Sequence, residues 1–170
     1  MRLSGITPES LVDGPGLRYV IFVQGCPHQC PYCHNPETWD ANAGKEFSVR
    51  QLIRMIKQHR KKKRGITLSG GEPFLQAGEL TEVAFAARQM GLDVVSYTGF
   101  TYGQLLEKKD NNINALLLAS DILIDGKFFH ELRSTALQFH GSTNQRLIDI
   151  AATQKKGEII LWNGDYPAKL

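Results

Sequence analysis

Residues 18–33, RYVIFVQGCPHQCPYC, place a short apolar run directly before all three cysteines of the chain. The run from Arg18 to Gln24 is rich in β-branched and aromatic residues, which predicts a buried β-strand. Cys26, Cys30 and Cys33 follow it in the pattern C-x3-C-x2-C. Three thiolates on one tight loop can bind a soft metal centre. A [4Fe–4S] cluster held by three cysteines would keep one iron open to a non-protein ligand.

The same residues allow two other interpretations. A structural zinc site could use His28 or His34 as its fourth ligand, or the three cysteines could simply be free and buried. Zinc sites more often show paired C-x2-C spacings, and this chain has no second pair. The spacing alone leaves these alternatives open.

Length and composition indicate a single soluble domain, residues 1–170, with 42% hydrophobic and 22% charged residues. A net charge of +3 is too small to favour a nucleic-acid partner. No apolar run approaches the roughly 18 residues of a membrane span, and the N-terminus lacks the apolar core of a signal peptide. An odd cysteine count argues against a disulfide framework. We therefore expect a cytoplasmic protein.

Apolar periodicity predicts alternating strands and helices along the chain. The N-terminal residues 1–17 and the connection 40–47 are expected to be irregular, and residues 163–170 to form a tail. Residues 147–151 could be strand or helix. The predicted helices are 48–60, 80–90, 101–108 and 113–119, with a polar break at 110–112, and the predicted strands after the first are 65–69, 93–97, 122–125 and 158–162.

Such alternation implies parallel βαβ units with right-handed crossovers. A closed eight-unit barrel needs about 250 residues, so this chain predicts an α/β fold that is a partial (β/α) barrel of about five to six units. The cysteine loop and Gly70-Gly-Glu-Pro73 both follow strands. They are therefore expected at the C-terminal rim, where barrel enzymes hold their sites.

The cysteine pattern after the first strand resembles the radical S-adenosylmethionine (SAM) enzymes, in which the amino and carboxylate groups of SAM chelate the fourth iron. Val12-Asp-Gly-Pro-Gly16 and Cys33-His-Asn-Pro-Glu-Thr-Trp39 resemble the subgroup that activates glycyl-radical enzymes. Gly141-Ser-Thr-Asn-Gln-Arg146 is similar to a segment of the anaerobic ribonucleotide reductase activating proteins, and Tyr97 also favours that subgroup. From the residues alone, 141–146 would be only a polar loop.

The resemblance also implies a SAM site. Gly70-Gly-Glu-Pro73 matches the motif that holds the methionine amino group, Thr98-Gly-Phe100 the adenosyl segment, and Asp125-Gly-Lys-Phe128 a further SAM contact. The alternatives are a tight turn at 70–73 and a salt bridge at the strand end for Asp125 and Lys127. The candidate cofactor-binding residues are Tyr32, Cys33, His34, Gly70, Gly71, Glu72, Thr98, Asp125 and Lys127.

The implied partner is the large subunit of the anaerobic ribonucleotide reductase. Its candidate contacts are Asp13 and Gly14, in a segment that would otherwise be a turn, with Asn144 and Arg146. In the implied reaction, a 5′-deoxyadenosyl radical from SAM takes a hydrogen from a glycine of the reductase, and no side chain acts as catalytic acid or base. Without further cysteines for an auxiliary cluster, the electron should come from an outside donor such as flavodoxin.

Two rival functions share some of these features. One is a radical SAM enzyme acting on a small molecule, of the 7-carboxy-7-deazaguanine synthase type, although nothing in that function calls for residues 141–146. The other is a non-enzymatic iron–sulfur or zinc protein. Formation of 5′-deoxyadenosine separates the enzymes from the non-enzymatic protein.

Overall fold

A computed structural model describes residues 1–164. In this part of the chain seven strands form one sheet, in the order β3-β1-β2-β4-β5-β6-β7. The strands are β1 Arg2–Ser10, β2 Arg18–Val23, β3 Lys45–Glu46, β4 Gly65–Gly70, β5 Asp93–Tyr97, β6 Ile122–Asp125 and β7 Arg146–Asp149.

The helices join consecutive strands or follow the last one. They are α1 Val49–His59, α2 Ala77–Gln89, α3 Tyr102–Glu107, α4 Asn111–Ala119 and α5 Ile150–Lys156. Short 3-10 turns lie at Pro36–Thr38, Pro73–Gln76 and His130–Leu132. None of the helices within residues 1–164 is long and apolar enough to cross a membrane.

The centre of the sheet is parallel: β2 pairs with β4, β4 with β5, and β5 with β6. Three helical crossovers connect these four strands. β1 and β7 extend the sheet in antiparallel orientation on its two sides, and β3 pairs with β1. The predicted α/β class and the open, incompletely closed sheet are confirmed, with antiparallel strands on either side of the βα units.

The main core lies between the sheet and its helices. Ile21 of β2, Leu52 of α1 and Leu80 of α2 are fully buried members of this core. The predicted core residues of the second helix, Leu80, Val83, Ala84 and Ala87, are all buried. A smaller cluster on the other side of β5 and β6 includes Val95 and Ile124 and continues to Tyr97 and Phe139.

The expectation of an irregular N-terminus was wrong, because Arg2–Ser10 forms β1. Residues 2–10 show little apolar alternation, and Pro8 is unfavourable inside a central strand. On the side away from β2, the only described strand beside β1 is the two-residue β3, which pairs at Arg2 and Leu3. Pro8 therefore lies where β1 has only β2 as a neighbour among the described strands. The connection 40–47 likewise contains β3.

Two predictions near the C-terminus also needed correction. Residues 158–162 form no strand and make only an isolated bridge between Ile148 and Leu161. Residues 147–151, predicted as strand or helix, contain the end of a strand and the start of a helix. β7 ends at Asp149, whose side chain accepts from the amide of Ala152 and caps α5. Further upstream, the predicted polar break at 110–112 is a helix start, because Asp110 caps α4. The predicted tail lies mostly outside the described residues.

Candidate functional site

A cavity of about 740 Å³ opens at the carboxyl ends of the parallel strands. Its wall includes the three cysteines after β2, the glycine pair at the end of β4 and the turn after β5. Residues of the β1–β2 turn and of the loop between β6 and β7 complete its wall. The lining residues that the sequence singled out are Asp13, Cys26, Cys30, Cys33, His34, Gly70, Gly71, Thr98 and Lys127.

The cysteine loop, residues 26–33, is compact and carries free thiols. The amide of Cys33 donates to the carbonyl of Cys30 at 3.1 Å, and the amide of Asn35 donates to Cys33 Sγ at 3.4 Å. Burial raises the pKa of the Cys26 and Cys30 thiols, while backbone amides bonded to the sulfurs oppose that shift. Such amides also stabilise sulfur that carries negative charge as a metal ligand.

The arrangement of the thiols fits a polynuclear cluster. Cys26, Cys30 and Cys33 contribute to the wall of one shared cavity, and all three are partly exposed. A [4Fe–4S] cluster requires thiols that surround it, because each thiolate binds a different iron.

Neighbouring backbone lies so close to positions 70 and 71 that only glycine fits there. Gly70 has φ +93°, and a Cβ there would lie 2.7 Å from the Cα of Phe22. A Cβ on Gly71 would lie 2.3 Å from the carbonyl oxygen of Gly25. The end of β4 is thus pressed against the backbone that leads into the cysteine loop, which allows both glycines to face the cavity beside the thiols.

Glu72 is fully buried and is not among the residues that line the cavity. Its carboxylate accepts hydrogen bonds from Thr98 and from the amides of Gly99 and Phe74, and it lies 2.7 Å from His28 Nε2. Thr98 lines the cavity and ties it to this carboxylate. The side chain of Glu72 therefore joins protein segments to one another.

Asp125 forms an ion pair at the end of β6, as in the alternative to a SAM contact. Only 1% of the residue is exposed, and both carboxylate oxygens accept from the guanidinium of Arg146. The amide of Tyr102 adds a third donor at 2.8 Å. Arg146, predicted to meet the partner, is thus held at the base of the β6–β7 loop, whereas Lys127 is exposed and lines the cavity.

Residues 141–146 close the β6–β7 loop on itself. The side-chain oxygen of Gln145 accepts from the amide of Gly141 at 2.9 Å, and its nitrogen donates to Gly126 O. Asn144 Nδ2 donates to the carbonyl of Lys127 at 2.8 Å. The two segments singled out separately in the sequence, 125–128 and 141–146, are therefore the two ends of one loop.

The remaining candidates divide between the cavity and the surface. Asp13 lines the cavity, and its carboxylate accepts from Ser10 Oγ. Gly14 has φ +126° and no room for a Cβ above Arg18, so it shapes the turn. Tyr32 is 72% exposed, with its ring 4.2 Å from that of His130.

Sequence reasoning missed three parts of the site. Tyr97 was used only to choose a subgroup, yet it lines the cavity and its hydroxyl donates to the carbonyl of Phe139 at 2.5 Å. Residues 137–140 form a wall of the cavity although their sequence carries no periodic or motif signal. His28 was weighed only as a zinc ligand, and its position inside the cysteine motif could have marked it as part of the site.

Comparison with known proteins agrees with this site. Residues 12–148 match the 4Fe-4S single cluster domain family. The chain is 36% identical to the anaerobic ribonucleoside-triphosphate reductase-activating protein of Vibrio cholerae, over 81% of this chain and 91% of that protein. For the same protein of Escherichia coli K12 the identity is 33%, covering 81% and 92%.

Two further similarities are more limited in extent. Pyruvate formate-lyase-activating enzyme of Clostridium pasteurianum is 36% identical over 62% of this chain and 47% of that enzyme. The crystal structure of QueE from Escherichia coli has a TM-score of 0.46 at 20% identity, covering 59% of this chain and 52% of that one. On the sequence matches, the chain belongs to the 4Fe-4S single cluster domain family and to the anaerobic ribonucleoside-triphosphate reductase-activating proteins.

Proposed function

We propose that this protein is a radical SAM enzyme that generates a glycyl radical on an anaerobic ribonucleoside-triphosphate reductase. When bound, the [4Fe–4S] cluster and SAM supply a one-electron cleavage to methionine and a 5′-deoxyadenosyl radical, which takes a hydrogen from the partner's glycine. The observation that carries the proposal is the shared cavity, in which three thiols of a C-x3-C-x2-C loop face a glycine pair at the ends of parallel strands.

The residues of the cavity have separate tasks in this proposal. Cys26, Cys30 and Cys33 hold three irons and leave one for SAM. Gly70 and Gly71 expose backbone to the methionine end, because without a Cβ this backbone can lie against Phe22 and Gly25 beside the thiols. The cofactors carry the chemistry, while the chain positions them and excludes water.

The open side of the cavity suits a protein partner. Leu11 and Val12 are 68% and 78% exposed beside Asp13, at the turn that borders the cavity. We propose that the reductase loop enters here, over Asp13 and Gly14, and that it meets Asn144 on the β6–β7 loop. Arg146 supports this surface through its pair with Asp125.

The source of the electron lies outside the chain in this proposal. The chain has three cysteines, and the cluster uses all of them, which leaves none for an auxiliary cluster. An external donor such as flavodoxin would reduce the cluster, and the protein would work in the cytoplasm.

The decisive experiment combines the reconstituted protein, a chemical reductant, SAM and the reductase under anaerobic conditions. We expect a glycine-centred radical by electron paramagnetic resonance (EPR), together with 5′-deoxyadenosine. Omission of SAM and a reductase with the radical glycine changed to alanine are the controls. Formation of 5′-deoxyadenosine without any radical on the reductase would contradict the proposed partner, and absence of both products would contradict the enzyme.

A further inference from the structure

The carboxylate of Glu72 connects three separate segments of the site. It is fully buried, with 0% exposure. Its Oε2 lies 2.7 Å from His28 Nε2 in the cysteine loop and accepts from Thr98 Oγ1 at 3.0 Å and Gly99 N at 2.9 Å. Its Oε1 accepts from Phe74 N at 3.1 Å. One side chain therefore joins the cysteine loop, the end of β4 and the turn after β5.

His28 lines the cavity and is packed against the turn after β5. A Cβ on Gly99 would lie 2.3 Å from the His28 ring, so the ring packs directly on that backbone. The ring of Phe100 meets it edge-on at 4.5 Å between centroids, and the His28 side chain is 6% exposed. Glu72 Oε2 already accepts hydrogen bonds from Thr98 and Gly99, so we assign His28 Nε2 as a further donor to it.

The backbone reinforces the same connection. The amide of Glu72 donates to the carbonyl of Gly25, and the amide of Gly71 donates to that of Val23, both at 2.8 Å. These bonds hold the start of the cysteine loop, whereas His28 lies in the middle of it. Without the His28 contact the loop would be tied to the rest of the cavity at its two ends but not between Cys26 and Cys30.

We propose that Glu72 and His28 are positioning residues, which hold the cysteine loop in a set geometry relative to the turn Thr98–Gly99. Glu72 then acts on SAM indirectly, by keeping the open iron aligned with the backbone that receives SAM. The inference rests on the proposed use of SAM, but it is independent of the identity of the protein partner.

The first test compares His28→Leu, which removes the donor, with His28→Gln, which restores one. We expect His28→Leu to hold about four irons but to bind SAM about tenfold or more weakly, the usual effect of losing a hydrogen bond to a charged group. His28→Gln should recover most of the affinity. His130→Leu, which removes another ring that contacts the cysteine loop, is the matched control and should bind SAM like the wild type.

The affinity is read from the EPR change of the reduced cluster on addition of SAM, without the reductase. Wild-type affinity in His28→Leu would overturn the proposal, as would an equal loss in His130→Leu or no recovery in His28→Gln. If His28→Leu fails to hold iron, the result for His28→Gln decides. Iron binding in His28→Gln would support the proposal, and failure of both variants to bind iron would overturn it.

A second measurement requires no SAM. Amide hydrogen exchange of the reconstituted protein should be faster in His28→Leu than in the wild type at residues 26–33 and at Gly99, and near wild type in His28→Gln. Unchanged exchange at both places would overturn the proposal. If exchange is faster in His28→Leu but the wild type binds no SAM, the contact between the cysteine loop and the turn after β5 would be supported and the proposed function would be contradicted.

Discussion

Gly71 occupies a position where two backbones nearly touch. Gly71→Val would add a branched side chain where a Cβ alone would stand 2.3 Å from Gly25 O. Backbone yields less easily than a side chain, so we expect Gly71→Val to lower the free energy of unfolding by about 3 kcal/mol or more and to disturb the cysteine loop.

Urea unfolding and iron analysis check this prediction. Gly5→Val is the matched control, because a Cβ at Gly5 meets nothing within 4 Å and valine is favourable in a strand. A stable Gly71→Val protein with a full cluster would show that the two backbones separate at little cost.

Each cysteine of the loop should be needed for the cluster. Since all three thiols line the cavity, Cys26→Ala, Cys30→Ala and Cys33→Ala each remove the ligand of one iron. We expect the wild type to hold about four irons per chain after anaerobic reconstitution, and each variant to lose the cluster and SAM cleavage. Metal analysis that found zinc instead of iron, or a triple variant that cleaved SAM, would contradict the assignment.

At the scale of elements, Tyr97 fastens the β6–β7 loop to β5. Burial raises the pKa of Tyr97, so its hydroxyl remains protonated and donates to Phe139 throughout the usual working range of pH. Tyr97→Phe should therefore cost about 1 kcal/mol, and that cost should be the same at neutral and mildly alkaline pH. Urea unfolding at two pH values measures it, with Tyr102→Phe as the control. An equal cost in both variants would contradict this role.

Asn144 and Arg146 of the β6–β7 loop allow effects on the partner to be compared with effects on stability. Asn144→Ala should reduce the glycyl radical more than 5′-deoxyadenosine formation, because the residue is proposed to meet the reductase. It also removes the hydrogen bond from Asn144 Nδ2 to the carbonyl of Lys127, so some loss of stability is expected with it. Arg146→Ala should in addition destabilise the protein by about 1–3 kcal/mol, since it leaves the buried Asp125 without its cation.

Arg133→Ala, in the exposed part of the loop, is the control for removing an arginine. Product analysis, EPR and urea unfolding give the three readings. Normal radical yield in Asn144→Ala would remove that residue from the partner surface, and unchanged stability in Arg146→Ala would show that the ion pair contributes little.

For the whole molecule, the cluster should stabilise the fold around it. A metal centre that binds the folded chain adds its binding free energy to stability, and exposed thiolates and cluster iron oxidise in air. We expect air to bleach the protein and to lower its urea midpoint, and anaerobic reconstitution to restore both. A midpoint that did not change with cluster content would contradict this coupling.

The order of buried strands and helices was predictable from the sequence because each has a local signal. Tyr19 to Val23 form a continuous apolar run, and Ser48 caps α1 by accepting from the amide of Gln51. β1 was missed because its apolar residues are few and its pairing with β2 joins residues as distant as Leu3 and Val23. Local signals carry no information on such a partner.

The sequence by itself determined the cysteine loop, the glycine pair and the position of both at the carboxyl ends of parallel strands, because motif spacing and strand polarity are properties of the linear chain. Only the tertiary structure decided what several polar side chains do. Glu72 faces His28, 44 positions away, and Asp125 faces Arg146, 21 positions away. A buried carboxylate takes whichever donors the assembled sheet brings to it, and those donors are not adjacent in the sequence.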